Sequence, residues 1–168
     1  MLKKVLFLSS ANGARSQMAE AFLRTLAGDA FEAQSAGSGP GGLHPLAVAA
    51  MAERGIDIGD QRSKGQHEFM GTAQFDHLIT VCEQAEKACP MFPGKGAREY
   101  WPFADPARAE GGAEGRLAAF REVRDQIEER VRRWLVERRY KPVPELSHTG
   151  ATAALPGDVS LPGRTREA

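Results

Sequence analysis

The chain contains little cysteine, few aromatic residues and no surplus of charge. Of its 168 residues only Cys82 and Cys89 are cysteine, and phenylalanine, tryptophan and tyrosine together make up 7%. Lysine plus arginine number 22 and aspartate plus glutamate also number 22, so the formal net charge is zero. A balanced composition lacks the strongly basic surface that non-specific binding to nucleic acid or to an acidic membrane requires. The composition therefore predicts neither a nucleic-acid nor a membrane partner.

Long hydrophobic runs are also missing, and none approaches the length of a membrane span. The N-terminus leads directly into a predicted strand, so no signal peptide is expected and the cytoplasm is the predicted location. Thiols stay reduced there, so we do not expect Cys82 and Cys89 to form a permanent disulfide. A close cysteine pair in that compartment points to catalytic, redox or metal-binding use. Because no histidine lies near these cysteines, no metal site is predicted.

What is present is an alternation of strand and helix patterns, and the length fits one domain. Short apolar runs predict strands at 4–8, 31–36, 75–81 and 98–101. Helical spacing of apolar residues follows the first two strands and is clearest between Leu117 and Leu135. The pattern predicts an α/β fold, an open doubly wound four-stranded parallel sheet flanked by helices, with ligands bound beyond the carboxyl ends of the strands.

The C-terminal part differs in composition from the rest. Four of the ten prolines lie after residue 141, among small and polar residues. Such a segment has little apolar surface to bury. We therefore expect a domain at 1–140 and a poorly ordered tail at 141–168.

Arginines concentrate near the end of the predicted domain. Without a basic total charge they do not indicate nucleic-acid binding. We expect a solvated helix face and helix C-terminus carrying Arg130, Arg132, Arg133, Arg138 and Arg139.

The loop between the first strand and the first helix is the most informative segment. Its residues are Ser9, Ser10, Ala11, Asn12, Gly13, Ala14, Arg15 and Ser16. Successive backbone N–H groups of such a tight loop can converge on one anion, and the helix N-terminus adds partial positive charge. Arg15 can clamp two oxygens of a tetrahedral oxyanion. The spacing alone also fits an ordinary strand-to-helix turn with a surface arginine.

Many short phrases, in the same order, resemble one family. They lie at 5–8, 15–20, 35–37, 44–48, 55–58, 79–82, 89–90 and 101–106. The span from Leu2 to Leu135 resembles the thioredoxin-coupled arsenate reductases, which are relatives of the low-molecular-weight tyrosine phosphatases. The resemblance implies a phosphatase-like fold and a monomer that reduces arsenate to arsenite in arsenical resistance. It also implies a thioredoxin-like or other thiol reductant and no bound cofactor, with phosphate as an arsenate analogue.

The family pattern has a nucleophilic cysteine where this chain has Ser9, and a further loop thiol near Ala14. Cys82 and Cys89 match the second and third cysteines, which in the family pass on a disulfide. A serine hydroxyl is a weak nucleophile without a base, and oxygen cannot take part in thiol–disulfide exchange. The missing thiol also counts strongly against a tyrosine-phosphatase-like hydrolase.

Two hypotheses follow from this departure. In a shortened relay, Cys82 attacks arsenic held in the loop from Ser9 to Arg15, and Cys89 then attacks the Cys82 sulfur and releases arsenite. In the alternative, the chain is a catalytically impaired relative that senses or sequesters arsenate or phosphate, and the two cysteines are inert.

The resemblance assigns roles to further residues. Asp105 matches the general acid of the phosphatase relatives, although an aspartate before proline is also a common turn residue. Asn12, Glu20 and Ser35 match residues that support the loop and bind potassium in some reductases. Lys64 stands where those reductases have a carboxylate, and its ammonium group would occupy the cation position. We therefore expect no potassium requirement.

Overall fold

A four-stranded parallel sheet forms the centre of the protein. The computed structural model describes residues 1–71, 74–88, 92–142 and 144. The strands are β1 (Lys3–Ser9), β2 (Phe31–Gly37), β3 (His77–Thr80) and β4 (Ala97–Tyr100), in the spatial order β2-β1-β3-β4. All three strand pairs are parallel. The predicted four-stranded parallel sheet is therefore confirmed.

Four helices flank the sheet. They are α1 (Arg15–Ala27), α2 (Pro45–Ala52), α3 (Glu83–Ala88) and α4 (Ala113–Glu137), with short 3-10 turns at Gln66–Glu68 and Pro106–Arg108. The described helices include none that is both long and apolar enough to cross a membrane. Side chains alternate between the two faces of each strand, so Phe7 joins the larger core with α1, α2 and α4, whereas Leu8 joins a smaller core with α3. Helices on both faces of a parallel sheet confirm the doubly wound α/β prediction.

Some element boundaries differ from the sequence-based prediction. The third strand, His77–Thr80, is shorter than 75–81, although backbone hydrogen bonds to β1 continue on both sides of it. The Asp76 N–H donates to the Lys4 carbonyl at 2.8 Å, and the Val81 N–H donates to the Leu8 carbonyl at 2.9 Å. The fourth strand begins and ends one residue earlier than 98–101. The predicted and observed strands therefore differ only by one or two residues at their ends.

The prediction of a solvated arginine face on the last helix is wrong for part of the set. The Arg130 guanidinium lies 4.4 Å from the centre of the Trp101 ring, and that of Arg138 lies 3.9 Å from the Trp134 ring. Arg138 also donates to Glu99 Oε1 at 2.6 Å. Desolvation by burial raises the pKa of Glu99, but hydrogen bonds from Trp134 and Trp101 and the nearby arginines outweigh it, so the pKa is lowered overall. These arginines cover the tryptophan rings rather than face only water.

The strand register brings the expected functional segments to one edge of the sheet. Leu8 of β1 lies opposite Ala36 of β2 and Thr80 of β3. The loop after β1 and Cys82, two residues after β3, therefore follow neighbouring strands at their carboxyl ends, as predicted. Residues 145–168 lie outside the described part of the chain, so the predicted domain boundary and tail stay predictions.

Candidate functional site

The loop between β1 and α1 has its carbonyl groups engaged with surrounding chain. The Ser10, Ala11 and Gly13 oxygens accept hydrogen bonds from the N–H groups of Gly39, Gly41 and His44 at 2.8–3.0 Å. The Asn12 oxygen accepts from Gln17 Nε2 at 3.1 Å, and the Ala14 oxygen accepts from Met18 in the first turn of α1. Every carbonyl from residue 10 to residue 14 thus has a donor.

Most N–H groups of the same loop, unlike its carbonyl groups, have no hydrogen-bond partner among the described residues. In a trans peptide the N–H points away from the preceding carbonyl, so outward carbonyls turn the following N–H groups to the other side. Within the described residues, no protein acceptor faces the N–H groups of Ala11, Gly13, Ala14 and Arg15. They precede or begin α1, whose N-terminus adds partial positive charge. Unpaired donors grouped in this way can bind a tetrahedral anion.

Asn12 sets the turn of this loop. Its φ of +49° lies in the left-handed region, which costs a non-glycine residue about 1 kcal/mol or more unless its surroundings hold it there. The side chain is buried and makes three hydrogen bonds. Asn12 Nδ2 donates to Ser16 Oγ at 2.8 Å, while Asn12 Oδ1 accepts from the Lys64 N–H at 2.8 Å and from Gln17 Nε2 at 3.0 Å. The strained conformation is therefore held from three sides.

Gly37 allows the chain after β2 to pass close to the loop. A Cβ atom placed on Gly37 would lie 2.6 Å from the Ser10 oxygen and 2.9 Å from the Asn12 nitrogen. Both distances are too short for any side chain, so only glycine permits this approach. The end of β2, Ser35-Ala36-Gly37, is therefore part of the site, because Gly37 packs directly against the loop.

Arg15 is held at the first position of α1 and is 9% exposed. Its Nη1 donates to the Phe103 carbonyl at 3.0 Å, and its Nη2 lies 3.7 Å from Asp105 Oδ2. Asp105 also caps the following 3-10 turn by accepting the Ala107 N–H at 3.0 Å. The structure therefore brings the predicted arginine and the predicted acid together. Both line a cavity of about 340 Å³ with Ser10, Glu83, Gln84 and Phe103 among its other walls.

Ser9 has polar neighbours but no base. Its Oγ lies 2.6 Å from Ser16 Oγ and accepts the Asn12 N–H at 3.0 Å. In the part of the chain that the structure describes, neither a carboxylate nor an imidazole contacts Ser9 Oγ. A hydroxyl in this setting stays protonated and can donate or accept a hydrogen bond, but it is not activated for attack.

Cys82 is buried in the smaller core, next in sequence to two residues that line the cavity. The residue is 1% exposed and belongs to the smaller core with Leu8 and Ala85. Its Sγ accepts the Ala85 N–H at 3.4 Å, and its neighbours Glu83 and Gln84, rather than Cys82 itself, line the cavity. The structure therefore brings Cys82 to the predicted edge of the sheet but not into the cavity. Cys89 lies outside the described residues.

Lys64, Glu20 and Ser35 form a buried polar cluster beneath the loop. Lys64 Nζ lies 3.4 Å from Glu20 Oε2 and 3.3 Å from the Arg62 carbonyl, and Ser35 Oγ donates to the same Glu20 oxygen. The Lys64 backbone reaches Asn12, so the cluster is continuous with the loop. Across the residues described, there is no group of three or more histidine, cysteine, aspartate or glutamate side chains arranged to hold a metal ion.

One residue of the site, Gln17, was missed by the sequence reasoning. Gln17 is fully buried and donates a hydrogen bond to Asn12 Oδ1. Its polarity in the sequence did not indicate that it would be buried. His44 donates its backbone N–H to Gly13 and caps α2 by accepting the Leu46 N–H at its Nδ1, 3.1 Å away. Burial and the charge of Arg116 lower the pKa of His44, against the opposing effect of Asp105, so the ring remains neutral and able to accept at neutral pH.

Comparison with known proteins agrees with this geometry. Residues 4–144 match the low molecular weight phosphotyrosine protein phosphatase family. The arsenate reductase of Shouchella clausii (strain KSM-K16) is 44% identical over 136 residues, which cover 80% of this chain and 96% of that protein. The arsenate reductase of Bacillus subtilis (strain 168) is 43% identical and the match covers 77% of this chain and 93% of that protein.

Solved structures of arsenate reductases are also similar. One in the oxidized state has a TM-score of 0.69 at 34% identity, and one in the phosphate binding state has a TM-score of 0.64 at 33% identity. Each match covers 81% of this chain and 98% of the other. The thioredoxin-dependent arsenate reductase Cg_ArsC1' of Corynebacterium glutamicum has a TM-score of 0.58 at 30% identity, over 81% of this chain and 61% of that one. Because the family model spans most of the chain and curated relatives are more than 40% identical over most of their length, this chain belongs to the low molecular weight phosphotyrosine protein phosphatase family.

Proposed function

We propose that this protein reduces arsenate to arsenite, with the oxyanion bound in the β1–α1 loop and Cys82 and Cys89 as the redox pair. One observation carries the binding half of the proposal: the loop carbonyls are engaged outward, and the N–H groups of Ala11, Gly13, Ala14 and Arg15 have no acceptor in the described chain. Similarity to arsenate reductases, one of them in a phosphate binding state, supports the choice of anion. Arg15 would clamp two of its oxygens.

The proposed chemistry needs two electrons, which two thiols can supply. The Cys82 thiolate attacks arsenic(V), a sulfur–arsenic bond forms, and one arsenate oxygen leaves as water after protonation. Asp105, 3.7 Å from Arg15, is the proposed proton donor for that oxygen. The Cys89 thiolate then attacks the Cys82 sulfur, the sulfur–arsenic bond breaks, and its electron pair stays on arsenic, which departs as arsenite. An external thiol reductant, thioredoxin or another dithiol, returns the disulfide to two thiols.

This route requires Cys82 to move toward the anion. Cys82 is 1% exposed in the smaller core, its Sγ accepts the Ala85 N–H at 3.4 Å, and it does not line the cavity. Its neighbours Glu83 and Gln84, at the start of α3, do line the cavity. Unwinding the first turn of α3 would break the bond to Ala85 and expose the thiol.

A second candidate function is an arsenate- or phosphate-binding protein without turnover. Two observations favour it: among the described residues no base contacts Ser9 Oγ, and Cys82 does not line the cavity. Under this alternative the loop binds the anion, and Cys82 contributes only to the smaller core. Because both candidates share the anion site, thiol chemistry rather than binding separates them.

Replacing Cys82 with serine tests the proposed redox pair. Arsenate-dependent oxidation of NADPH, coupled through thioredoxin and its reductase, should be measurable for the unmodified chain and lost in Cys82→Ser. Phosphate affinity should be unchanged, because the cavity lining lacks Cys82. Thr80→Ser, two residues earlier at the end of β3, serves as the matched control and should retain turnover. If Cys82→Ser retains turnover, the redox assignment is wrong; if the unmodified chain has none while it binds phosphate, the binding-only function replaces it.

The Lys64–Glu20 pair predicts how the protein responds to potassium. The Lys64 ammonium group lies 3.4 Å from the buried Glu20 carboxylate, so it occupies the position in which a free cation would bind. Turnover in potassium and in sodium at equal ionic strength should therefore be the same. Lys64→Asp would instead place two carboxylates together, which favours a cation between them, and this variant should be activated by potassium. Potassium activation of the unmodified chain would contradict the proposed role of Lys64.

We also propose that the protein acts in the cytoplasm, where a thiol reductant is available, and that residues 1–140 form the functional domain. The family match, which covers residues 4–144, supports the second statement.

A further inference from the structure

Two glutamines and an arginine connect the β1–α1 loop with the surface. Gln17 Nε2 donates to the Asn12 carbonyl at 3.1 Å, to Asn12 Oδ1 at 3.0 Å and to the Arg62 carbonyl at 2.8 Å. Gln61 Nε2 in turn donates to Gln17 Oε1 at 2.6 Å, and Arg24 Nη2 donates to Gln61 Oε1. A continuous chain of hydrogen bonds therefore runs from Arg24 through Gln61 and Gln17 to Asn12.

The direction of this chain is fixed at both ends. At the inner end, Asn12 Oδ1 accepts the Lys64 N–H, which can only donate, so Gln17 must present its NH₂ group to Asn12. Gln17 Oε1 then faces Gln61, which must donate and must present its own oxygen outward. At the outer end the Arg24 guanidinium, which has no acceptor atom, meets that oxygen. All amide orientations agree, and hydrogen bonds aligned in this way strengthen one another.

A second branch reaches the same atom from the same arginine. Arg24 Nη1 donates to Glu20 Oε1 at 3.2 Å, and the other Glu20 oxygen lies 3.4 Å from Lys64 Nζ. The Lys64 N–H ends the branch on Asn12 Oδ1 at 2.8 Å. Both branches thus start at Arg24, whose side chain is half exposed, and end at the loop residue with φ of +49°.

We infer that Arg24 is a remote positioning residue for anion binding. The left-handed conformation of Asn12 decides where the following N–H groups point, and the two branches hold Asn12 in that conformation. Arg24 completes both branches without lining the cavity, so it would change anion affinity only through them and through its charge. The inference rests on the proposed anion site, and it adds a surface residue whose replacement should weaken that site.

A double-mutant cycle on phosphate affinity tests this role. Arg24→Met removes the hydrogen bonds to Gln61 and Glu20, which act on the loop only indirectly, so it should raise the dissociation constant of inorganic phosphate about threefold to tenfold. Arg24→Lys keeps a charged donor and should bind almost as well as the unmodified chain. Gln17→Leu should weaken binding by at least about tenfold, because buried acceptors lose their donor. In the double variant Arg24→Met/Gln17→Leu the combined effect should be smaller than the product of the two single effects.

A purely electrostatic role for Arg24 gives a different result, since a charge effect persists when Gln17 is removed and the two factors then multiply. That outcome, or an unchanged dissociation constant in Arg24→Met, overturns the inference. Solvent exchange of the Lys64 amide hydrogen, measured in the same samples without anion, gives a second readout. Exchange should be faster in Arg24→Met and unchanged in Arg24→Lys. If the unmodified chain binds no phosphate, the proposed function fails, and the exchange rates alone then decide whether Arg24 holds the loop.

Discussion

Phosphate affinity should fall by about 10²-fold when Arg15 is replaced with methionine, because two charge-assisted hydrogen bonds of about 1.5 kcal/mol each are lost. Arg15 is almost fully buried, and its guanidinium is already oriented by the Phe103 carbonyl at 3.0 Å. Little ordering cost therefore remains when the anion arrives. Isothermal titration with inorganic phosphate measures the change directly.

Arg108 provides the matched control for this experiment. It lines the same cavity and lies 3.8 Å from Asp105, but its side chain is 78% exposed. Solvent screens such a charge, so Arg108→Met should change phosphate affinity by less than about threefold. Equal losses in the two variants would mean that the cavity attracts anions by net charge alone. An unchanged affinity in Arg15→Met would mean that the anion does not bind at this loop.

Turnover of arsenate should rise on the order of 10²-fold in Ser9→Cys, because the attacking sulfur would then lie in the loop itself, whereas Cys82 lies in the smaller core. Ser9 Oγ is next to Ser16 Oγ and accepts the Asn12 N–H, and these donors would stabilise a thiolate at that position. The positive end of α1 acts in the same direction. Coupled NADPH oxidation with thioredoxin and its reductase measures the gain.

The comparison needs a control for changes in the loop itself. Ser9→Ala removes the hydroxyl without adding a thiol, and under the proposed route it should keep the turnover of the unmodified chain within a small factor. A large loss in Ser9→Ala would show that the hydroxyl takes part in the chemistry. No gain in Ser9→Cys would show that the loop does not hold arsenate near residue 9.

The sheet and its functional edge could be predicted from local patterns. The apolar run from Val5 to Leu8 is continuous because β1 is covered on both faces, and that covering is what a buried parallel strand requires. The position of Cys82 followed from the same logic, since parallel strands end at one edge. The burial of Cys82 could not be predicted in this way. Cys82 lies in a small core with Ala85 and Phe92, and only tertiary packing decides that.

The polar support of the loop could not be predicted residue by residue. Gln17, Gln61 and Arg24 look like ordinary helix and loop residues in the sequence. The hydrogen bonds that link them to one another span 37 and 44 positions. The cluster of Glu20, Ser35 and Lys64 was anticipated only through the resemblance to reductases. The arginines near Trp101 and Trp134 were misjudged for a related reason: helical spacing does not reveal that an aromatic ring from another element lies beneath them.

A single-turnover experiment tests the central claim most directly. The reduced protein, with Ser9 unchanged, is mixed with arsenate in the absence of any external reductant, and arsenite and free thiols are quantified. The proposed relay predicts arsenite in stoichiometric amount with the chain and loss of both the Cys82 and Cys89 thiols as a disulfide. Phosphate binding without any arsenite, while Ser9→Cys forms it under the same conditions, would contradict the relay and leave the protein as an anion-binding relative.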